Sequence, residues 1–152
     1  LGLSEIVSYQ ASNGWLLFEA PLAFIAAVLV APGKLLKTPF DIPEAETEIV
    51  SGPLTEYSGP KLGIFKTVFN IEILALVAFI TALFLGGPVS HTIAGIYIPG
   101  IVSFMIKAVA LLILVTLIRC VTARVRIHQA LKFYWLPVAA IALINFIVVV
   151  VL

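Results

Sequence analysis

Four runs of this chain are too apolar to be left in water: Leu16–Ala31, Ile64–Leu85, Ile101–Ile118 and Trp135–Leu152. A helix needs about 20 such residues to cross the hydrocarbon core of a bilayer. The first run is short and carries Glu19 near one end. The second holds Lys66, Asn70 and Glu72 in its first half, the third is interrupted only by Lys107, and the fourth has no charge. Barrel strands would alternate polar and apolar residues, which these runs do not, and lipid offers no partner to a bare backbone amide. Composition agrees: 62% of residues are hydrophobic and 11% charged, against about half and about a quarter in globular domains. The expected fold is therefore all-α and integral to the membrane, with four transmembrane helices in a single transmembrane domain over residues 1–152. The chain opens on Leu1 and closes on "FIVVVVL", inside an apolar run, as a portion of something longer would. Leu1–Gln10 lacks the basic stretch of a signal peptide. A single cysteine, Cys120, excludes a disulfide framework, an iron–sulfur cluster or a four-cysteine zinc site within the chain.

The basic residues set the orientation. All of the 9 Lys and Arg except Lys107 fall in or beside two connections: Lys34, Lys37, Lys61 and Lys66 around the first, and Arg119, Arg124, Arg126 and Lys132 around the third. The intervening connection, "GGPVSHTIAGIYIP", has none, and neither has Leu1–Trp15. Four spans alternate in direction, so the two basic connections share a side. The positive-inside rule places residues 33–61 and 119–133 in the cytoplasm of a multi-pass cell-membrane protein, with both ends outside.

Within the first of these connections lies "FDIPEAETEIVSGPLTEYSGPK". It holds Asp41, Glu44, Glu46, Glu48 and Glu56, five of the 8 acidic residues of the chain. Asp41 followed by Glu44 fits a capping box, and Pro43 is acceptable in a first helical turn. Gly52-Pro53 stops the pattern. A short acidic helix over Ile42–Ser51 is expected, with Glu44 and Glu48 on one face and Glu46 on another. Such a helix is also an ordinary solvated loop. Its proline boundaries and the compact "TEYSG" that follows favour a docking surface or an ion route.

Two charges lie deep inside the apolar runs, away from their ends. Glu72 and Lys107 each cost several kcal/mol if left alone in lipid. They could pair with each other, although desolvation largely cancels such a gain. The functional alternative is passage of protons or ions, with Thr67, Asn70 and Asn145 extending a polar line. Glu19 reads as an interfacial residue, His91 and His128 as surface or interface residues, and Cys120 as a small apolar filler.

These residues also carry a resemblance. "PFDIPEAETEIVSGPLTEYSG" resembles the signature of the quinone-cavity membrane subunit of respiratory complex I, roughly PFDLPEAE-x-EL-x-x-G-x-x-x-EYSG. "IEILALVAFITALFLGGP" is similar to the family's next helix. "IKAVALLILVTLIRCVTARVRIHQALKFYW" is similar to its Lys-x11-Arg helix and Arg-x-Arg-x-Asp-Gln loop, and "LPVAAIALINFIV" to its last helix. "LSEIVSYQ" and "WLLFEAPLAFI" match the preceding segment. The likeness covers nearly the whole chain and corresponds to the C-terminal half of the family. Lys34 stands where the family has Glu, Lys37 where it has Arg, and His128 where it has Asp. Its usual membrane Glu falls one turn before Glu72. "LLKTPFD" and "QALKFYW" look closer to the homologous subunit of membrane-bound [NiFe] hydrogenases.

The resemblance implies a non-catalytic membrane anchor and coupling subunit of an oxidoreductase complex. It implies a complex I-like [NiFe] hydrogenase that links ferredoxin-driven proton reduction to ion translocation or, alternatively, the quinone-cavity subunit of an NADH:quinone oxidoreductase. A purely structural scaffold is the third reading. The implied proton path and coupling residues are Asp41, Glu44, Glu46, Glu48, Glu56, Glu72 and Lys107. The implied partner contacts are Arg119, Arg124, Arg126 and His128. No cofactor is expected in this chain; the [NiFe] centre and iron–sulfur clusters belong to hydrophilic partner subunits. Antiporter-like membrane subunits and the lipid bilayer complete the expected surroundings, and no nucleic acid is among them.

Overall fold

The computed structural model describes residues 2–41, 54–93 and 96–151. The expected helix over Ile42–Ser51, with Glu44, Glu46 and Glu48, lies outside the described residues. The helices are α1 (Leu3–Asn13), α2 (Leu16–Glu19), α3 (Pro21–Lys34), α4 (Pro60–Phe84), α5 (Gly100–Val121), α6 (Ile127–Phe133) and α7 (Ala139–Val151). A π turn over Tyr134–Val138 joins the last two.

Among the described residues, three stretches are long and apolar enough to cross a membrane: Pro60–Phe84, Gly100–Val121 and Ile127–Val151. At 1.5 Å per residue they reach about 33–38 Å, enough for a hydrocarbon core of about 30 Å. The fourth expected span, Leu16–Ala31, is not one helix. Proline has no amide hydrogen, and its ring collides with the carbonyl one turn back. At Pro21 the helix therefore breaks, with Ala20 at φ −131°, ψ 63°. Pro21 instead begins α3, where its missing donor costs nothing. That helix has 14 residues, about 21 Å.

The end of α3 is unusual. Lys37 N donates to Pro32 O at 3.2 Å and Leu36 N to Gly33 O at 3.2 Å. These are the paired bonds of a Schellman cap, whose left-handed position is normally Gly. Here Leu36 fills it, at φ 48°.

The expectation of an all-helical fold also needs correction. His91–Ile93 pairs antiparallel with Ile96–Ile98, as strands β1 and β2, with Thr92 opposite Tyr97. The run is rich in β-branched and aromatic residues, which favour strands.

The core is shared by three helices. Val28 and Ala31 of α3 with Leu35 just beyond it, Val77, Ile80 and Phe84 of α4, and Leu111 and Val115 of α5 are all buried. Phe24 meets the Phe84 ring edge-on at 5.6 Å. The alanines of α3 allow close helix approach, the usual device where lipid removes a hydrophobic drive. By contrast, α7 buries none of its residues and leaves Leu143, Phe146 and Val150 outward.

The helices define two ends. At one lies the β-hairpin. At the other lie the connection that follows α3 and residues 122–126, which touch through Val125 N donating to Pro39 O at 3.1 Å. The two basic connections therefore meet at one end of the bundle, as the alternation of spans requires.

Candidate functional site

The loop end is built from the "KTPFD" segment. Phe40 is buried, 8% exposed. Its ring lies 5.8 Å from that of Phe133 and 4.8 Å from that of Tyr134. Pinned by Phe40, Asp41 is held with Oδ1 3.1 Å from Nε of Arg124, both side chains only partly exposed. The signature acid and the loop arginine thus form one junction, closed by the Val125–Pro39 backbone bond.

Tyr134 sits in the π turn. Pro137 lies within that turn, so its absent amide and bulky ring account for the widening. Tyr134 reaches across to α3, where Gly33 is the only residue type that fits: a Cβ there would run into the Tyr134 hydroxyl, with the ring carbon Cζ at 2.7 Å. Two cavities flank Phe40. One of about 570 Å³ lies between α3 and α6, lined in part by Gly33, Lys34, Leu131 and Trp135. The other, of about 480 Å³, lies among α3, α5 and α6.

Seven residues before Asp41, at the end of α3, Lys34 Nζ lies 3.0 Å from Glu72 Oε1. Glu72 is twelve residues into α4, about 18 Å from its start. An ion pair supplies what lipid cannot, an opposite charge for a group that is costly alone. Lys34 also occupies the last turn of α3, where a cation suits the helix dipole. Lys37 stands 5.0 Å over the Phe69 ring, about one turn before Glu72 on α4.

Lys107 does not pair with Glu72. Its Nζ lies 2.8 Å from Leu85 O and 3.5 Å from Gly87 O, and 4.7 Å over the Trp15 ring. This is the hairpin end, about 20 Å along α4 from Glu72. The last carbonyls of a helix have no partner within it. Those of α4 are supplied from outside: buried Gln10 donates from Nε2 to Ala82 O at 3.1 Å and Leu83 O at 3.0 Å, and Lys107 takes Leu85. The turn beyond needs Gly86 and Gly87, at φ 78° and 55°.

Among the other expected residues, Glu56 is exposed just before α4. Arg119 belongs to the last turn of α5; its Nε is buried and has no hydrogen-bond partner among the described residues. Arg126 and His128 are exposed, and the Arg126 amide donates to Gln129 Oε1 at 3.1 Å. Cys120 is exposed rather than a core filler, because α5 turns that face outward. Among the described residues no group of three His, Cys, Asp or Glu could hold a metal.

Gln10, Gly33 and Tyr134 join these residues without a signal in the sequence. The carbonyls that Gln10 Nε2 reaches lie more than seventy residues away, so no local pattern marks that role. Lys34 does stand out in the motif, but its pairing with Glu72 does not.

Residues 1–150 match the family described as NADH dehydrogenase. The H subunit of NADH-quinone oxidoreductase from Geobacillus thermodenitrificans is 37% identical over 153 residues, covering 100% of this chain and 45% of that protein. The subunit of the same name from Bacillus thuringiensis is 39% identical over 145 residues, covering 95% of this chain and 43% of its own length. The chain spans less than half the length of these curated relatives. A motif whose acid and arginine meet at one end of a helical bundle, and a match along nearly every residue, lead to one conclusion: the chain belongs to the NADH dehydrogenase family, which takes in the H subunits of complex I.

Proposed function

We propose that this chain is part of the quinone-cavity membrane subunit of an NADH:quinone oxidoreductase of the complex I type. It anchors the peripheral redox arm to the membrane and couples quinone reduction there to ion translocation. The relatives named above support the quinone reading over a hydrogenase one. The single observation that carries a coupling role is the Lys34–Glu72 pair, set on the membrane side of the Asp41–Arg124 junction and seven residues from it along the chain. Intramembrane charges are costly, and function is the common reason for keeping them.

In this reading the loop end faces the hydrophilic subunits, which carry the iron–sulfur clusters. Asp41, Glu56 and the acids Glu44, Glu46 and Glu48 line that contact, and Arg119, Arg124, Arg126 and His128 balance their charge. Antiporter-like subunits lie laterally in the membrane. Lys107 serves as an anchor for the hairpin end of α4.

The test is the Glu72→Gln variant of the whole complex in sealed vesicles. Electron transfer should persist while ion translocation per electron falls several-fold. Full coupling in that variant removes Glu72 from the path.

A hydrogenase reading keeps one specific support, Lys34 and His128 at positions where the complex I pattern has acids. Assay of the purified complex separates the two: NADH-dependent quinone reduction supports the first, and hydrogen evolution from reduced ferredoxin the second.

A further inference from the structure

We propose that Lys34 is the positioning residue for the Glu72 carboxylate, and that coupling depends on the pair and not on Glu72 alone. This inference rests on the role just proposed for Glu72. The Lys34 ammonium, 3.0 Å from Oε1, makes the one hydrogen bond and ion pair of the Glu72 side chain seen among the described residues. Among those residues no second ammonium or guanidinium pairs with Glu72. Lys107 is committed to Leu85 at the hairpin end, Lys37 lies over Phe69, Arg124 is paired with Asp41, and Arg119, in the last turn of α5, makes no ion pair with Glu72 among the described residues. Lys66 lies about 9 Å earlier along α4 itself.

The position of Lys34 gives the pair a second property. It is the last residue of α3, and the chain turns immediately afterwards through the left-handed Leu36 into the segment that ends at Asp41. That segment is tied to the loop 122–126 by the Val125–Pro39 bond and the Arg124–Asp41 pair. The side chain of Lys34 is 65% exposed and that of Glu72 36%, so little packing holds the ammonium in place. A displacement of the loop junction therefore acts on the ammonium directly, and through it on the carboxylate. The link runs through one covalent stretch of chain and needs no further element.

The experiment compares Lys34→Gln, Lys34→Arg, Glu72→Gln and the double variant Lys34→Gln/Glu72→Gln in the intact complex. Each is measured for complex assembly on native gels, electron transfer, and ion translocation per electron in vesicles. Lys34→Gln should assemble normally and lose several-fold in translocation per electron. Lys34→Arg should restore most of it, and the double variant should be no worse than Glu72→Gln alone. A merely structural role would instead appear as lost assembly, with additive losses in the double variant. Lys34→Gln with full coupling overturns the inference. If Glu72→Gln itself stays fully coupled, the role proposed for Glu72 fails as well. If Glu72→Gln uncouples and Lys34→Gln does not, only the role of Lys34 fails.

Discussion

Lys107 lies 2.8 Å from the carbonyl oxygen of Leu85, at the opposite end of α4 from the junction that holds Asp41. In space this charge caps a helix. Its ammonium meets the carbonyls of the α4 C-terminus and the face of Trp15, both of which attract a cation. Lys107→Met should lower stability by about 1 kcal/mol, given the partial exposure of the group. Thermal unfolding in detergent checks this, and an unchanged midpoint removes the cap.

Gln10 supports the same helix end with a neutral side chain. It is 3% exposed, so no water replaces it when it is lost. Gln10→Leu keeps the volume and leaves the Ala82 and Leu83 carbonyls bare. The expected cost is about 2 kcal/mol, the penalty for an unsatisfied buried acceptor. The combined Gln10→Leu/Lys107→Met variant should lose more than either, measured by denaturant unfolding in mixed micelles.

Gly33 and Tyr134 fit only as a pair. Gly33→Ala forces the Tyr134 ring away from α3, at about 1–3 kcal/mol for an overpacked contact. Adding Tyr134→Phe should recover part of the loss, because the hydroxyl goes but the ring carbon at 2.7 Å stays. Thermal unfolding of the single and double variants reads this out. Complete recovery by Phe would mean that the hydroxyl alone sets the packing.

Phe40 fills the space between two cavities. Phe40→Ala joins them and removes both ring contacts, costing about 3 kcal/mol or more on the scale of buried aromatic truncations. On the docking role proposed above, the same variant should also weaken retention of the peripheral subunits during purification, since Phe40 fixes the position of Asp41. Stable retention at native yield would separate the aromatic cluster from docking.

The Asp41–Arg124 pair is measured by a double-mutant cycle with Asp41→Asn and Arg124→Gln. An interaction energy on the order of 1 kcal/mol is expected for a partly exposed ion pair, and it should shrink as salt rises. Additive losses at low salt would mean that the two charges do not act together.

Much of this architecture is legible in the sequence, for identifiable reasons. Length and hydropathy mark α4, α5 and the helix from Ile127 onward, since nothing but a helix satisfies their backbones in lipid. The "PFD" motif and the arginine loop are also legible as a charged end. The first apolar run misleads because it continues through Ala20–Pro21, and apolar content alone does not register a lost amide. The β-hairpin escapes because a short strand pair shows in pairing partners more than in composition. The role of Lys107 is not readable from spacing. Counted from Arg119 it matches the depth of Glu72, but the contacts that matter lie toward the other end of α5. The pairing of Lys34 with Glu72 depends on where α3 stops, which the Leu36 cap decides.

The hairpin end of α4 is held by donors from two other helices, Gln10 of α1 and Lys107 of α5. A rod clamped at its top cannot slide along its own axis. On the role proposed for Glu72, whatever reaches it from the loop end arrives as a sideways bend or as a rearranged charge, and not as the stroke of a piston.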